Sequence, residues 1–323
     1  MKDTIIQVKL SELKTHLDKI PASKRFYVVD KAILEVYKNE LQITGKENIF
    51  VLDNPESDKN IAKYEECLNH FIEKNIRRDS TIVAIGGGAT IDFAGFVAAT
   101  TLRGINWHVV PTTLLAMLDA CIGGKVALNT SYGKNLIGAF HKANNVYICH
   151  EFLKSLPKPE VDSGMGELIK YAFISSEINK AIKKSIPMED LILKCLKYKK
   201  EVTDKDFREE NDRRILNFGH TLGHAYEKDL NLPHGIAVIL GIYHTIKSFH
   251  HELLTELYGL MDILNIDKNI LYTRPSNMEK FWSYVAKDKK IVEDSVDYIL
   301  LKSLGHPTIN KMLIAELKEK VQF

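Results

Sequence analysis

Residues 81–92 read TIVAIGGGATID, and how this stretch folds decides the architecture. A β-branched, apolar run at 81–85 enters Gly86-Gly87-Gly88 directly, and an apolar helical stretch follows at 89–99. Three glycines let the chain turn tightly and leave no Cβ in the way of a ligand. The free N–H groups opening the helix then face an anion such as a pyrophosphate. The pattern is GGGxxxD, ending on Asp92, and not the GxGxxG of the ordinary dinucleotide fold. A purely structural turn therefore stays open beside a nucleotide-binding one.

Outward from this turn, similar runs stand at 26–29 (FYVV), 49–52 (IFVL) and 107–110 (WHVV). Residues 61–76 carry apolar positions at helical period. The alternation predicts an α/β unit with a mostly parallel sheet over residues 1–157. Pro157 and Pro159 break the pattern. From about Lys158 the spacing turns to three and four, which predicts a mainly α-helical unit over 158–323 with one late strand at 296–301.

The 323 residues are enough for two such units. Lys and Arg number 44 against 42 Asp and Glu, a net charge of +2, so nothing points to a nucleic-acid partner. No apolar run approaches the roughly 20 residues that span a bilayer, and the charged N-terminus has no secretory core, so a membrane partner is not expected either. Cys67, Cys121, Cys149 and Cys195 lie far apart without a CxxC pair, as reduced and mostly buried thiols of a cytoplasmic protein would.

Two further clusters carry chemistry. Pro111-Thr112-Thr113 ends a strand with two hydroxyls suited to a ribose or phosphate; Asp119, Gly123-Gly124-Lys125 and Gly133-Lys134-Asn135 follow. Each glycine-lysine pair puts a cation beside open backbone, as an anionic substrate requires; either lysine alone reads better as a solvated surface charge, and the set together reads as a site. The segment 213–224, RRILNFGHTLGH, reads as a helix, which would set His220 and His224 on one face. His234 follows Pro233 at the start of another helix, and Glu167 and Lys170 sit three apart on an earlier one. A carboxylate with two imidazoles is a common ligand set for a catalytic zinc with one open position. The HExxH of a zincin is missing.

GGGATID, LRG, PTTLLAMLD, GGK, GKNLIGAF, GELIKY, RRILNFGHTLGHA and LPHG occur in this order. With this set the chain resembles the dehydroquinate synthases over about residues 30–305. The resemblance implies an N-terminal NAD-binding α/β domain and a helical C-terminal metal- and substrate-binding domain. It implies Glu167, His220 and His234 as ligands of Zn2+ or Co2+, with His224 beside the metal as a site residue. For the sugar-phosphate substrate it implies Asp119, Lys125, Lys134, Asn135, Lys170, Lys199, Arg213, Asn217 and either Lys289 or Lys290. For NAD it implies Asp30, Glu56, Lys59, Gly87, Gly88, Asp92, Thr112, Thr113, Asp119, Lys134, Ser155 and Leu156. It also implies a homodimer in which Arg103 reaches the partner's substrate. Three places depart from the family pattern: Ala120-Cys121 stands for Ser-Ser, Val126 for Thr, and His141-Lys142-Ala143 for Tyr-Gln-Pro.

The implied reaction converts 3-deoxy-arabino-heptulosonate 7-phosphate into 3-dehydroquinate and phosphate, with a transient oxidation at NAD and no net redox change. Three rivals share features with it. One is a cyclase acting on sedoheptulose 7-phosphate or glucose 6-phosphate. The others are a metal-dependent alcohol dehydrogenase of the glycerol dehydrogenase type and a non-catalytic NAD-binding descendant.

Overall fold

The computed structural model describes residues 3–43, 48–286 and 294–323. The chain divides into two compact units, Met1–Leu156 and Pro157–Phe323.

The first unit is built on a six-stranded sheet. Its strands are β1 (Thr4–Gln7), β2 (Arg25–Asp30), β3 (Ile49–Leu52), β4 (Thr81–Gly86), β5 (Asn106–Pro111) and, after an antiparallel ribbon, β8 (Asn145–Ile148). They run parallel in the order β1-β8-β5-β4-β2-β3. All of β4 is buried, which explains why it reads as a continuous apolar run and not an alternating one. From β2 the chain moves outward to β3, then returns to β4 on the other side and continues to β5. Strand order thus reverses beside β4, where parallel sheets place ligands at their carboxyl ends. Gly86 pairs with Pro111 across β4 and β5, and the Thr112 N–H donates to Gly86 O at 3.0 Å. The glycine turn and the Pro111-Thr112-Thr113 segment therefore meet at this edge.

The sequence did not anticipate β1 or β8, nor the ribbon of β6 (Lys125–Thr130) and β7 (Gly133–Phe140). The two glycine-lysine pairs, expected on open loops, open the two strands of this ribbon instead. Its β6 strand packs on the helix Gly88–Thr100: a Cβ at Gly95 would lie 2.3 Å from Val126 and 2.7 Å from Trp107.

The second unit is helical, with a pair of antiparallel strands, β9 (Ser295–Ser303) and β10 (His306–Leu313). β9 contains the expected strand at 296–301; β10 was not foreseen. The helix expected over 213–224 is a correction: it begins only at His220 and runs to Leu230. Residues Asp212–Asn217 form a 3-10 turn, and Gly219 stands at φ +77 in the left-handed region. The Asp206 carboxylate holds this approach by accepting the N–H groups of Glu210, Asn211 and Arg213 at 2.8–3.1 Å. The core under the histidine helix contains Leu222, Tyr226, Phe281 and Trp282. His244, fully enclosed, donates from Nδ1 to Gln322 O at 2.7 Å and accepts from the Tyr226 hydroxyl at 2.9 Å. Burial holds its pKa down to about 4, so the ring is neutral.

Candidate metal centre

Three helices of the second unit converge on one point. Glu167 lies within the helix Lys158–Ile174, His220 opens His220–Leu230, and His234 opens His234–Phe249. Glycine lets the first and third touch backbone to backbone. A Cβ on Gly235 would stand 1.7 Å from Ser163 O, and one on Gly166 2.1 Å from Gly235 O. Those glycines are the chain neighbours of His234 and Glu167, so the contact that joins the helices also brings the two side chains together.

Glu167 Oε1 lies 3.3 Å from His220 Nε2 and 3.2 Å from His234 Nε2, and the three donor atoms fall within 4.8 Å of one another. His220 Nδ1 is 3.1 Å from Phe218 O and His234 Nδ1 is 2.9 Å from Glu227 Oε2. An oxygen acceptor at each Nδ1 makes that nitrogen the N–H, so Nε2 is the atom each ring has to offer a metal. Both Nε2 atoms face the same carboxylate oxygen, where a cation can take the place of a shared proton. The residues fit a divalent metal held by one carboxylate and two imidazoles.

Lys170, buried like Glu167, places its ammonium 2.5 Å from Oε2. It is an ion contact outside hydrogen-bond alignment, since Oε2 has no aligned donor among the described residues. Burial alone would raise the Glu167 pKa, but Lys170 and then His220 hold it well below the carboxylate range. Burial pushes His220 down. For His234 burial acts the same way, but the bonds to Glu167 and Glu227 outweigh it and lift the ring to about 9. The His224 ring centroid lies 5.4 Å from that of His220 and 5.9 Å from that of His234, beside the donor set and not within it.

Of the other expected residues in this unit, Lys199 and Arg213 are buried. Arg213 Nη1 donates to Phe207 O at 2.5 Å, and Asn217 Nδ2 to Glu209 Oε1 at 2.7 Å. Lys289 and Lys290 lie outside the described residues. Sequence reasoning passed over Glu227, Asp206 and Glu209. For Glu227 a signal existed, its position seven residues after His220 on the same helix.

In the first unit several expected residues form one polar cluster. Buried Lys59 donates to Asp92 Oδ2 at 3.0 Å and Asn135 Oδ1 at 2.7 Å, with Glu56 Oε2 at 3.9 Å; Lys134 Nζ is 3.9 Å from the other Glu56 oxygen. Gly87 and Gly88 open the helix Gly88–Thr100, which has no side-chain cap. Neither they nor Gly86 has a positive φ, so at Gly86 and Gly87 it is space and not backbone freedom that calls for glycine. A Cβ on Gly86 would collide with Thr90 at 2.5 Å, and one on Gly87 would crowd Thr113 at 3.1 Å. Thr112 is buried, and its hydroxyl has no partner among the described residues. Asp119 lies in the π-helical turn Ala116–Ala120, and Lys125 is exposed at the start of β6. Three of the residues have other partners or sit apart: Asp30 caps the helix after β2 through the Ala32 N–H, Ser155 accepts from Tyr37 at 2.8 Å, and Leu156 ends the unit. Arg103 is exposed. All four cysteines are buried and none is in a disulfide.

The family model described as 3-dehydroquinate synthase N-terminal matches residues 49–163, and the one described as 3-dehydroquinate synthase C-terminal matches 164–291. The 3-dehydroquinate synthase of Staphylococcus carnosus is 36% identical over 306 residues, covering 88% of this chain and 85% of its own length. Among solved structures, 2-deoxy-scyllo-inosose synthase complexed with carbaglucose-6-phosphate, NAD+ and Co2+ superposes with a TM-score of 0.79 at 24% identity, over 98% of this chain and 95% of that one. The 2-epi-5-epi-valiolone synthase of Streptomyces hygroscopicus subsp. jinggangensis, with NAD+ and Zn2+ bound, gives 0.83 at 20% identity, over 99% and 96%. At these identities the likeness of the two structures is one of fold.

Proposed function

The chain belongs to the 3-dehydroquinate synthase family, and from that premise we propose that it converts 3-deoxy-arabino-heptulosonate 7-phosphate into 3-dehydroquinate and phosphate. It is then a phosphate-eliminating lyase of the shikimate pathway that serves aromatic amino-acid biosynthesis. The observation that carries the reading is the Glu167, His220 and His234 donor set in a chain matched by both halves of that family. Bound NAD supplies a reversible hydride acceptor and the divalent metal, Zn2+ or Co2+, a Lewis acid, so oxidation, elimination and reduction leave no net redox change.

The chain's own residues divide the remaining work. The uncapped start of the helix Gly88–Thr100 receives the NAD pyrophosphate, and the Thr112 and Thr113 hydroxyls, Asp30, Glu56, Lys59, Asp92, Ser155 and Leu156 complete the NAD contacts. Asp119 and Lys134 serve NAD and substrate alike. Lys170 keeps Glu167 ionised for the metal. Lys125, Lys199, Arg213 and either Lys289 or Lys290 supply positive charge for the substrate's carboxylate and phosphate. Asn135, Asn217 and His224 bind its hydroxyls. No helix among the described residues is long and apolar enough to cross a membrane.

A panel of sugar phosphates tests the assignment. With zinc and NAD, the purified protein should release phosphate from the heptulosonate phosphate at least about tenfold faster than from sedoheptulose 7-phosphate or glucose 6-phosphate, because those lack the carboxylate and forfeit a charge-assisted contact. Faster release from either would make the chain another sugar-phosphate cyclase.

The working unit is a homodimer in which Arg103 acts on the partner's substrate phosphate. Leu102 and Arg103 both occupy left-handed backbone, at φ +49 and +69, and Gly104 follows at +110. Strain of this kind, about 1–3 kcal/mol per residue, persists where function requires it. Mixing Arg103→Ala with Lys125→Ala subunits separates the alternatives. If Arg103 acts in trans, mixed dimers hold one intact site, and about a quarter of wild-type activity should return by the counting of two-fold symmetry. No recovery after subunit exchange, confirmed by mass, would contradict the shared site.

A further inference from the structure

We propose that Glu227 is a positioning residue for the metal centre: through His234 Nδ1 it orients that imidazole and reserves Nε2 for the metal. The helix His220–Leu230 sets His220, His224 and Glu227 at positions i, i+4 and i+7, one stripe of one face. The chain then leaves the helix through Asn231 at φ +51 and turns back through Leu232 and Pro233. His234 opens the next helix facing that stripe, and Glu227 Oε2 meets its Nδ1 at 2.9 Å across the turn.

The contact does two things. A carboxylate can only accept here, so Nδ1 carries a proton and Nε2 is the nitrogen whose lone pair a metal can take. Nε2 is the atom 3.2 Å from Glu167 Oε1, inside the donor set. The bond also restrains the ring. His220 has its equivalent in Phe218 O, a neutral backbone acceptor two residues away, whereas His234, whose side chain is 31% exposed, depends on a charged side chain seven residues back. An outer carboxylate of this kind both orients an imidazole ligand and raises its basicity.

This inference rests on the metal reading, and one titration series separates the failure of each. Zinc affinity is measured by competition with a chromogenic chelator for the wild type, His234→Ala, Glu227→Ala and Glu227→Gln, and the visible spectrum of each cobalt-loaded protein is recorded. We expect Glu227→Ala and Glu227→Gln to bind zinc about 10–100-fold more weakly, with altered cobalt bands. A residue that only steadied the fold would lower the melting temperature and leave both readouts in place. Affinity within threefold of wild type in Glu227→Ala, or in Glu227→Gln should the alanine variant not fold, overturns the proposal while the metal site stands. If the wild type binds no zinc, or if His234→Ala binds it as well as wild type, the metal reading falls and the inference with it.

Discussion

Glu167→Ala, His220→Ala and His234→Ala should each yield a purified protein without bound zinc and without turnover, while His224→Ala keeps the metal and loses activity. A three-ligand catalytic site has no spare donor, so one deletion leaves an incomplete shell. The donor atoms of Glu167, His220 and His234 lie within 4.8 Å of one another, with His224 outside that set. Glu167→Ala should also cost the most stability of the four. It removes the carboxylate that stands 2.5 Å from Lys170, and a buried charge deprived of its partner costs about 3–5 kcal/mol. Metal analysis of the four variants checks the assignment. Zinc lost from His224→Ala but kept by His234→Ala would reverse it.

Gly235→Ala should be among the most damaging single-methyl changes in the helical unit. The new Cβ would sit 1.7 Å from Ser163 O and 2.6 Å from its carbonyl carbon, both backbone, so no side chain can swing aside. Relief requires the helices Lys158–Ile174 and His234–Phe249 to move apart, at a cost of about 3 kcal/mol or more. That movement also separates Glu167 from His234, so zinc affinity should fall with stability. Gly259 is the control: it lies inside the helix Leu254–Ile263, and a Cβ there meets nothing within 4 Å. Gly259→Ala should therefore stabilise by about 0.5–1 kcal/mol, because glycine weakens a helix interior. Urea midpoints of the two variants should move in opposite directions. A wild-type midpoint for Gly235→Ala would show that the helices are not packed as closely as described.

The parts of the fold legible in the sequence are those where one physical pattern dominates. Buried parallel strands leave unbroken apolar runs, which is why β2, β3, β4 and β5 could be read directly. β1, Thr4–Gln7, carries only two apolar residues and does not stand out from a loop, whereas the Val146-Tyr147-Ile148 run of β8 was a legible signal that was passed over. The ribbon was hidden by its glycines and lysines, which suggested open loops. The apolar run Val126-Ala127-Leu128 and the brief turn at Ser131 and Tyr132 were the better signal. The helix containing His220 starts late because Gly219 takes a left-handed conformation, and a helical period alone does not reveal that break.

Site residues followed the same logic. Histidines are scarce enough for a cluster to be noticed, and the resemblance singled out Glu167 among many glutamates. Glu227 and Asp206 sit in segments rich in charge, where a carboxylate reads as a solvated surface group. Only their partners, His234 Nδ1 and three backbone N–H groups, distinguish them.

The most direct test of a redox-neutral cyclase is a comparison of two products in one cuvette. The protein is supplied with zinc, excess heptulosonate phosphate and NAD at a concentration equal to its own, and inorganic phosphate is followed alongside the absorbance of NADH. We expect many equivalents of phosphate per NAD, with NADH never building up as phosphate accumulates, because each oxidation is reversed within the same turnover. NADH accumulating in step with phosphate, or phosphate release that stops after one equivalent of NAD, would contradict the assignment.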